Sequence, residues 1–285
     1  MNKIEPLLQT SQLTVKAVLY GYLRLDGGAM FGPVPKTLWS KKVPADEQNR
    51  ILLAMRGLLI ETHLQKILID CGAGNWWDKK RQDIYGIKYL PLPINAKDIT
   101  DIVISHLHFD HAGGLVKRAS DGHLQALFPQ ATVHLQKANW ENACNPHRRE
   151  QESYLIEVIN CVRNYRLNLI DGSANLFPFL SVVPANGHTT GQQMVKIEEK
   201  NTTIWFAGDV IPTINHLHPA YHMGYDMCAK SGLAEKYWLL EQVANDKAWL
   251  ALPHDTDLAA VRIDPVNSLS KSSSEQNKYT VVKKL

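Results

Sequence analysis

The chain has 285 residues, 45% hydrophobic and 21% charged, the proportions of an ordinary globular protein with ample length for a core. A formal net charge of only +3 argues against a nucleic-acid binder or a protein drawn to an anionic membrane, and makes small molecules the expected partners. The start, MNKIEPLLQTSQLTV, lacks the apolar core of a signal peptide, and no later run reaches the roughly 20 apolar residues of a membrane span. The expectation is a soluble, cytoplasmic protein without membrane contact.

Gly27, Gly28, Gly32, Pro33 and Pro35 punctuate the 20s to 40s, which read as a long loop. LLIET and KILIDC, separated by a polar turn at His63 to Gln65, form an expected hairpin. In DITDIVISH, Ile99, Ile102, Val103 and Ile104 mark a buried strand, followed by a further strand in ATVHLQ and a short helix in KANWENA.

Between His147 and Asn164 the residues Tyr154, Leu155, Val158, Ile159 and Val162 have helical spacing. Strands are expected at Leu180 to Val183, Gln193 to Ile197 and Thr202 to Ala207, a helix over Gly232 to Asn245, and a last strand in AWLALPH that ends at His254. The Ser-rich run Asn267 to Glu275 suggests a flexible polar tail over 265–285. Each half contains an apolar strand ending in an Asp and Gly pair, ILIDCGAG and IWFAGDV, which hints at two packed sheets.

Four cysteines, Cys71, Cys144, Cys161 and Cys228, lack a CxxC spacing, so packed, reduced thiols are expected rather than disulfides or a thiolate metal site. The dense chemistry lies in SHLHFDHAGG. In an extended segment residues two apart point the same way, so His106 and His108 can reach one ion, while Asp110 and His111, just before the turn at Gly113 and Gly114, can face a second.

Candidates to complete the site are His188 after SVVPANG, Asp209 after IWFAG and His254 after AWLALP, each at the mouth of a strand. Taken singly, His188 or His254 reads as a packed histidine and Asp209 as a turn aspartate. Beside HxHxDH they read as a set: His106, His108 and His188 on one metal, Asp110, His111 and His254 on the other, and Asp209 between. Imidazole and carboxylate donors suit two divalent ions, zinc first, with iron, cobalt or manganese as alternatives.

HLHFDH, Gly187–His188, Gly208–Asp209 and His254–Asp255 together resemble the metal motifs of the metallo-β-lactamase superfamily, over nearly the whole chain to about Asp264. The resemblance implies a single α/β (α+β) domain over 1–264 with the αββα sandwich and a dinuclear site at the edge of the sheets. It places Asp70 beneath the site, orienting a ligand histidine. With Asp209 where common zinc β-lactamases use a cysteine, a role in antibiotic resistance is less attractive. LDGGAMFGPVPKTLWSKK and GDVIPTINHLHPAYHMGYD resemble the YtnP-like quorum-quenching N-acyl-homoserine-lactone lactonases and, more distantly, methyl-parathion-type phosphotriesterases.

That resemblance implies a hydrolase that opens a lactone or ester with a hydroxide generated between two metals, Asp110 passing a proton to the leaving group. A tyrosine found three residues after the bridging aspartate in the best-known lactonases is replaced here by Pro212. His216, Tyr221 or Tyr225 is expected to serve instead, with Tyr22 a further candidate; His216 is also an expected substrate contact, and Met30, Phe31 and Trp39 are expected to bind substrate or contribute to a homodimer contact. The rival readings are a phosphotriesterase or aryl esterase, and a non-catalytic sensor, which has no need of so complete a donor set.

Overall fold

The computed structural model describes residues 6–265 and 279–285. The chain opens with β1 (Pro6–Gln9) and a long strand β2 (Leu13–Asp26), then two short helices, α1 (Gly27–Phe31) and α2 (Lys36–Trp39). It returns along β3 (Arg50–Thr62) and β4 (Lys66–Ile69), and crosses α3 (Lys79–Tyr85) and β5 (Lys88–Tyr89) to β6 (Asp101–Val103). The short helix α4 (Phe109–Ala112), a small hairpin of β7 (Val116–Arg118) and β8 (Leu124–Ala126), β9 (Thr132–Gln136), α5 (Lys137–Cys144), α6 (Ile156–Val162) and β10 (Arg166–Ile170) complete the first half. The second half runs β11 (Ala174–Phe177), β12 (Leu180–Ala185), β13 (Gln192–Glu199), β14 (Thr202–Phe206), α7 (Ala229–Asn245), β15 (Trp249–Ala251), β16 (Ala260–Pro265) and β17 (Tyr279–Lys284).

The strands form two large sheets. One has the path β1-β2-β3-β4-β6-β9-β10 with β5 beside β2, and the other runs β11 to β17 in sequence order. Strict alternation in the short strands builds four layers from these two sheets. Ile67 and Ile69 of β4 meet Ile204 and Phe206 of β14 and Trp249 and Ala251 of β15 in the core between the sheets. Leu68 points the other way, into a core with Val158, Ile159 and Val162 of α6, while Trp205 and Leu250 face Leu239, Leu240 and Val243 of α7. A strand buried on both faces needs apolar residues at every position, which is why KILI and TIWF read as continuous runs. Each fully buried side chain of this kind contributes roughly 1.5–3 kcal/mol.

Several expectations change. The span from the 20s to the 40s is a loop only in part: Leu13–Asp26 pairs antiparallel with Arg50–Thr62 along its length, two short helices follow, and irregular structure is confined to 32–35 and 40–49. The helix expected from His147 begins only at Ile156, because the polar segment before it makes a 3₁₀ turn, Gln151–Ser153, against the site. AWLALPH is not the last strand, since β16 follows it. β17 then pairs antiparallel with β16, so the part of the expected tail at 279–284 is ordered by backbone hydrogen bonding. The Ser-rich run lies outside the described residues. All four cysteines are free, Cys71 and Cys161 buried and Cys228 exposed. No helix among the described residues is long and apolar enough to cross a membrane.

Candidate metal centre

The seven expected ligands come together where β6, β12, β14 and β15 end. Three overlapping donor groups form: His106, His108 and His188; His106, His111 and Asp209; and Asp110, His111 and His254, the donor atoms within each lying within 4.8 Å of one another. Asp209 Oδ1 sits 3.3 Å from His111 Nε2 and 3.1 Å from His254 Nε2, and its Oδ2 sits 3.4 Å from His188 Nε2. Asp110 Oδ2 faces His254 Nε2 at 3.6 Å. The aspartate from the second sheet therefore lies between the two histidine groups.

Local backbone geometry delivers these side chains. The Gly113–Gly114 pair follows the motif because the chain is strapped to the turn after β4: Cys71 N donates to His111 O at 2.7 Å and Gly114 N to Gly72 O at 2.8 Å. A Cβ at Gly114 would lie 2.0 Å from the Cys71 carbonyl oxygen. Gly208 adopts φ +53°, a left-handed turn that leaves β14 and presents Asp209 to the cage.

Four of the five cage histidines are held from behind. His111 Nδ1 lies 2.7 Å from Asp70 Oδ2, His188 Nδ1 is 2.9 Å from Asp226 Oδ1, and His254 Nδ1 donates to Ala54 O at 2.7 Å. His106 Nδ1 is 3.1 Å from Ser105 Oγ, which itself donates to Asp70 Oδ2 at 2.7 Å. These contacts fix Nδ1 as the protonated nitrogen and turn Nε2 inward, as metal-binding imidazoles require.

Burial first, and then His111, His108 and His188, hold the His106 ring well below its ordinary pKa and so neutral. Burial works to raise the Asp209 carboxyl, but His111, His254 and His188 outweigh it and hold the group well below the usual range. The His106 Nε2 and Asp209 Oδ1 atoms are buried without a hydrogen-bond partner. An orphaned lone pair in a dry site costs about 1–3 kcal/mol, and a cation is the species that relieves it. Imidazoles, carboxylates and orphaned atoms converging on common points fit two divalent ions.

A cavity of about 180 Å³ opens over this cage, lined by His108, Asp110, His188, Asp209 and His254 at its base. Its walls are Leu25, Met30, Leu53, Phe109 and Met223, with Tyr85, Tyr225, Glu152 and Ser153. Of the expected substrate contacts, Met30 and Tyr225 line it. Burial, followed by Asp26 and Asp110, pushes the Tyr225 phenol up to about 12, so it remains a hydrogen-bond donor.

Phe31, Trp39, His216 and Tyr221 do not line that cavity. Met30 and Phe31 are neighbours on a helix and point apart, so Phe31 instead stacks on Trp39 at 5.4 Å and on His216 at 5.1 Å, with Tyr221 edge-on at 5.8 Å. Both nitrogens of His216 are spent: Thr213 Oγ1 donates to Nδ1 at 2.8 Å and Nε2 donates to the Met30 carbonyl at 2.9 Å. Burial, then Lys236, pushes its pKa down to about 4. It holds the Met30 carbonyl in place. Pro212 is also structural, its carbonyl accepting from the His254 backbone N–H at 2.9 Å.

Cys71, nearest in sequence to the motif, has its thiol pushed far up by burial and then by Asp70, which leaves no nucleophile there. Sequence reasoning missed Asp226 and Tyr85. Asp226 lies at the end of the long stretch that begins at Gly208 and was a visible carboxylate. Tyr85, on α3, carries no local signal.

The metallo-beta-lactamase superfamily profile matches residues 58–254. An N-acyl homoserine lactonase of Bacillus cereus is 28% identical over 163 residues, 56% of this chain and 58% of that one. A second N-acyl homoserine lactonase, from a Bacillus species, is 32% identical over 119 residues, 42% of this chain and 39% of the other. The matched region thus spans between about two fifths and three fifths of these relatives' lengths. Among solved structures, a probable metal-dependent hydrolase from Staphylococcus aureus superposes with a TM-score of 0.83 at 28% identity, covering 90% of this chain and 94% of that one. AidC, a dizinc quorum-quenching lactonase in complex with a product, superposes with a TM-score of 0.76 at 21% identity over 98% and 96% of the two chains, a likeness of fold. With its αββα layers, its strand-end donor cage and a match over more than half its length, the chain belongs to the metallo-beta-lactamase superfamily.

Proposed function

We propose that this protein is a dinuclear, zinc-preferring hydrolase that opens N-acyl-homoserine lactones or closely related esters. The observation that carries this reading is the largely buried donor cage, three overlapping groups joined through His106 and His111 with Asp209 in the middle one, at the base of an apolar cavity. The kinship with N-acyl homoserine lactonases supports the choice of substrate.

Two divalent cations in such a cage would supply water activated at neutral pH and a Lewis acid for the scissile carbonyl. His106, His108 and His188 would hold one cation, Asp110, His111 and His254 the other, with Asp209 shared. Asp110 borders the cavity and is placed to deliver a proton to the leaving alkoxide. Leu25, Met30, Leu53 and Met223 exclude water and take the acyl chain. Tyr225, in place of the phenol absent at Pro212, donates a hydrogen bond to a substrate carbonyl.

The test is a metal assay together with a substrate screen. Elemental analysis should find close to two metal equivalents, and turnover on acyl-homoserine lactones of graded chain length should exceed that on a paraoxon-like aryl phosphotriester. A fully active protein free of metal ends the two-ion reading. Activity on the phosphotriester alone moves the assignment to that class. Tyr225→Phe should lower kcat/KM for the lactone by about tenfold, the worth of one hydrogen bond of about 1.4 kcal/mol, and leave metal content unchanged. Equal kcat/KM in the variant removes Tyr225 from the reaction.

A further inference from the structure

Four of the five cage histidines turn Nε2 inward and are anchored through Nδ1. His108 is reversed: its Nδ1 faces the cage, 3.2 Å from His188 Nε2, so its Nε2 points outward. That nitrogen is buried without a hydrogen-bond partner, and the acceptor facing it is Glu150 Oε2 at 3.7 Å. Glu150 is itself buried, at 5% exposure, on the segment leading into the Gln151–Ser153 turn.

The carboxylate is not free to wander. Its Oε2 accepts from Thr189 Oγ1 at 2.6 Å and its Oε1 from Asn142 Nδ2 at 2.9 Å. Tyr154 Oη bonds Thr189 Oγ1 at 2.7 Å, and Asn139 on α5 donates to Tyr154 Oη while accepting from the Leu107 backbone N–H at 2.9 Å. Leu107 lies between two ligands and Thr189 follows a third. Two residues beyond Glu150 the same segment supplies Glu152 and Ser153 to the cavity wall.

We propose that Glu150 is the positioning residue of His108, the counterpart of Asp70 behind His111 and Asp226 behind His188, and that it ties the cavity wall to one half of the metal cage. The inference rests on the two-ion reading above. A cation drawing on Nδ1 makes the Nε2 proton more acidic, and a carboxylate behind it strengthens the donor and fixes the ring plane. Closing the 3.7 Å gap needs under an ångström of movement, which metal loading would provide.

The test is a cobalt(II) titration of the chelator-stripped full-length protein, followed by visible absorption and by competition with a chromophoric chelator. Wild-type protein should take up two ions. Glu150→Gln keeps the shape and removes the charge, and should weaken uptake of one ion by about 10- to 100-fold while the other is held as before. Should that variant not fold, Glu150→Asp, which withdraws the carboxylate from His108, should give the same one-ion loss. Unchanged affinity for both ions in either folded variant overturns the inference. So does equal weakening of both in step with a fall in the melting temperature of the metal-free protein, which marks a purely structural role. Uptake of fewer than two ions by the wild type is a distinct result that removes the two-ion reading and this inference with it.

Discussion

Replacing Asp209 with asparagine is expected to lower kcat/KM for lactone hydrolysis by about a thousandfold and to drop metal content from two equivalents toward one. Asp209 spans the site, with one oxygen against His111 and His254 and the other against His188. Asparagine preserves that shape but would remove the negative charge between the two proposed cations and aim an amide N–H₂ at one of them. Stabilisation by the metal pair is worth several kcal/mol, and each 1.36 kcal/mol is tenfold in rate. Steady-state kinetics with elemental analysis on the same preparation decides the matter. A variant that keeps two ions and wild-type turnover would show that the aspartate bridges nothing.

The second large effect is expected at Asp70. Its carboxylate accepts from the Ser105 backbone N–H and hydroxyl, each at 2.7 Å, and from His111 Nδ1. Its backbone lies at φ +55°, where aspartate and asparagine are tolerated better than most residues. Asp70→Ala leaves three buried donors without an acceptor and puts alanine in a left-handed conformation. The metal-free protein should lose about 3–5 kcal/mol in urea unfolding. Asp70→Asn keeps the backbone and part of the bonding, so it should unfold closer to wild type while binding the ion next to His111 more weakly. Equal stability of alanine variant and wild type would contradict the geometry.

The cage was legible in the sequence, as were Asp70 behind it and Met30 and Tyr225 on the cavity wall, while most of the other surroundings were not. His106, His108, Asp110 and His111 fall in one strand-end run, and His188, Asp209 and His254 each follow an apolar strand beside a glycine or proline, so residue type and local pattern coincide. The long β2 and β3 pair was hidden because Gly27, Gly28, Gly32 and Pro33 lie just beyond β2 and drew the whole region into a loop. His216 has the residue type of a catalytic donor, yet Thr213 and the Met30 carbonyl consume both of its nitrogens, a fact set by packing across 186 residues. Tyr85 and Glu150 reach the site from a helix and an irregular segment. Their neighbours there are tertiary, and no local spacing announces them.

The division of labour between strand ends and loops bears on how such a protein diversifies. Exchange of Met30 or Tyr85, both on segments peripheral to the sheets, should alter the cavity while leaving every cage ligand and its anchor in place. Mutational drift toward new substrates should therefore accumulate at those positions. The segments 150–153 and 223–226 are exceptions: there a change that reshapes the wall also disturbs the glutamate behind His108 or the aspartate behind His188, so selection for a new substrate and selection to retain metal pull against each other.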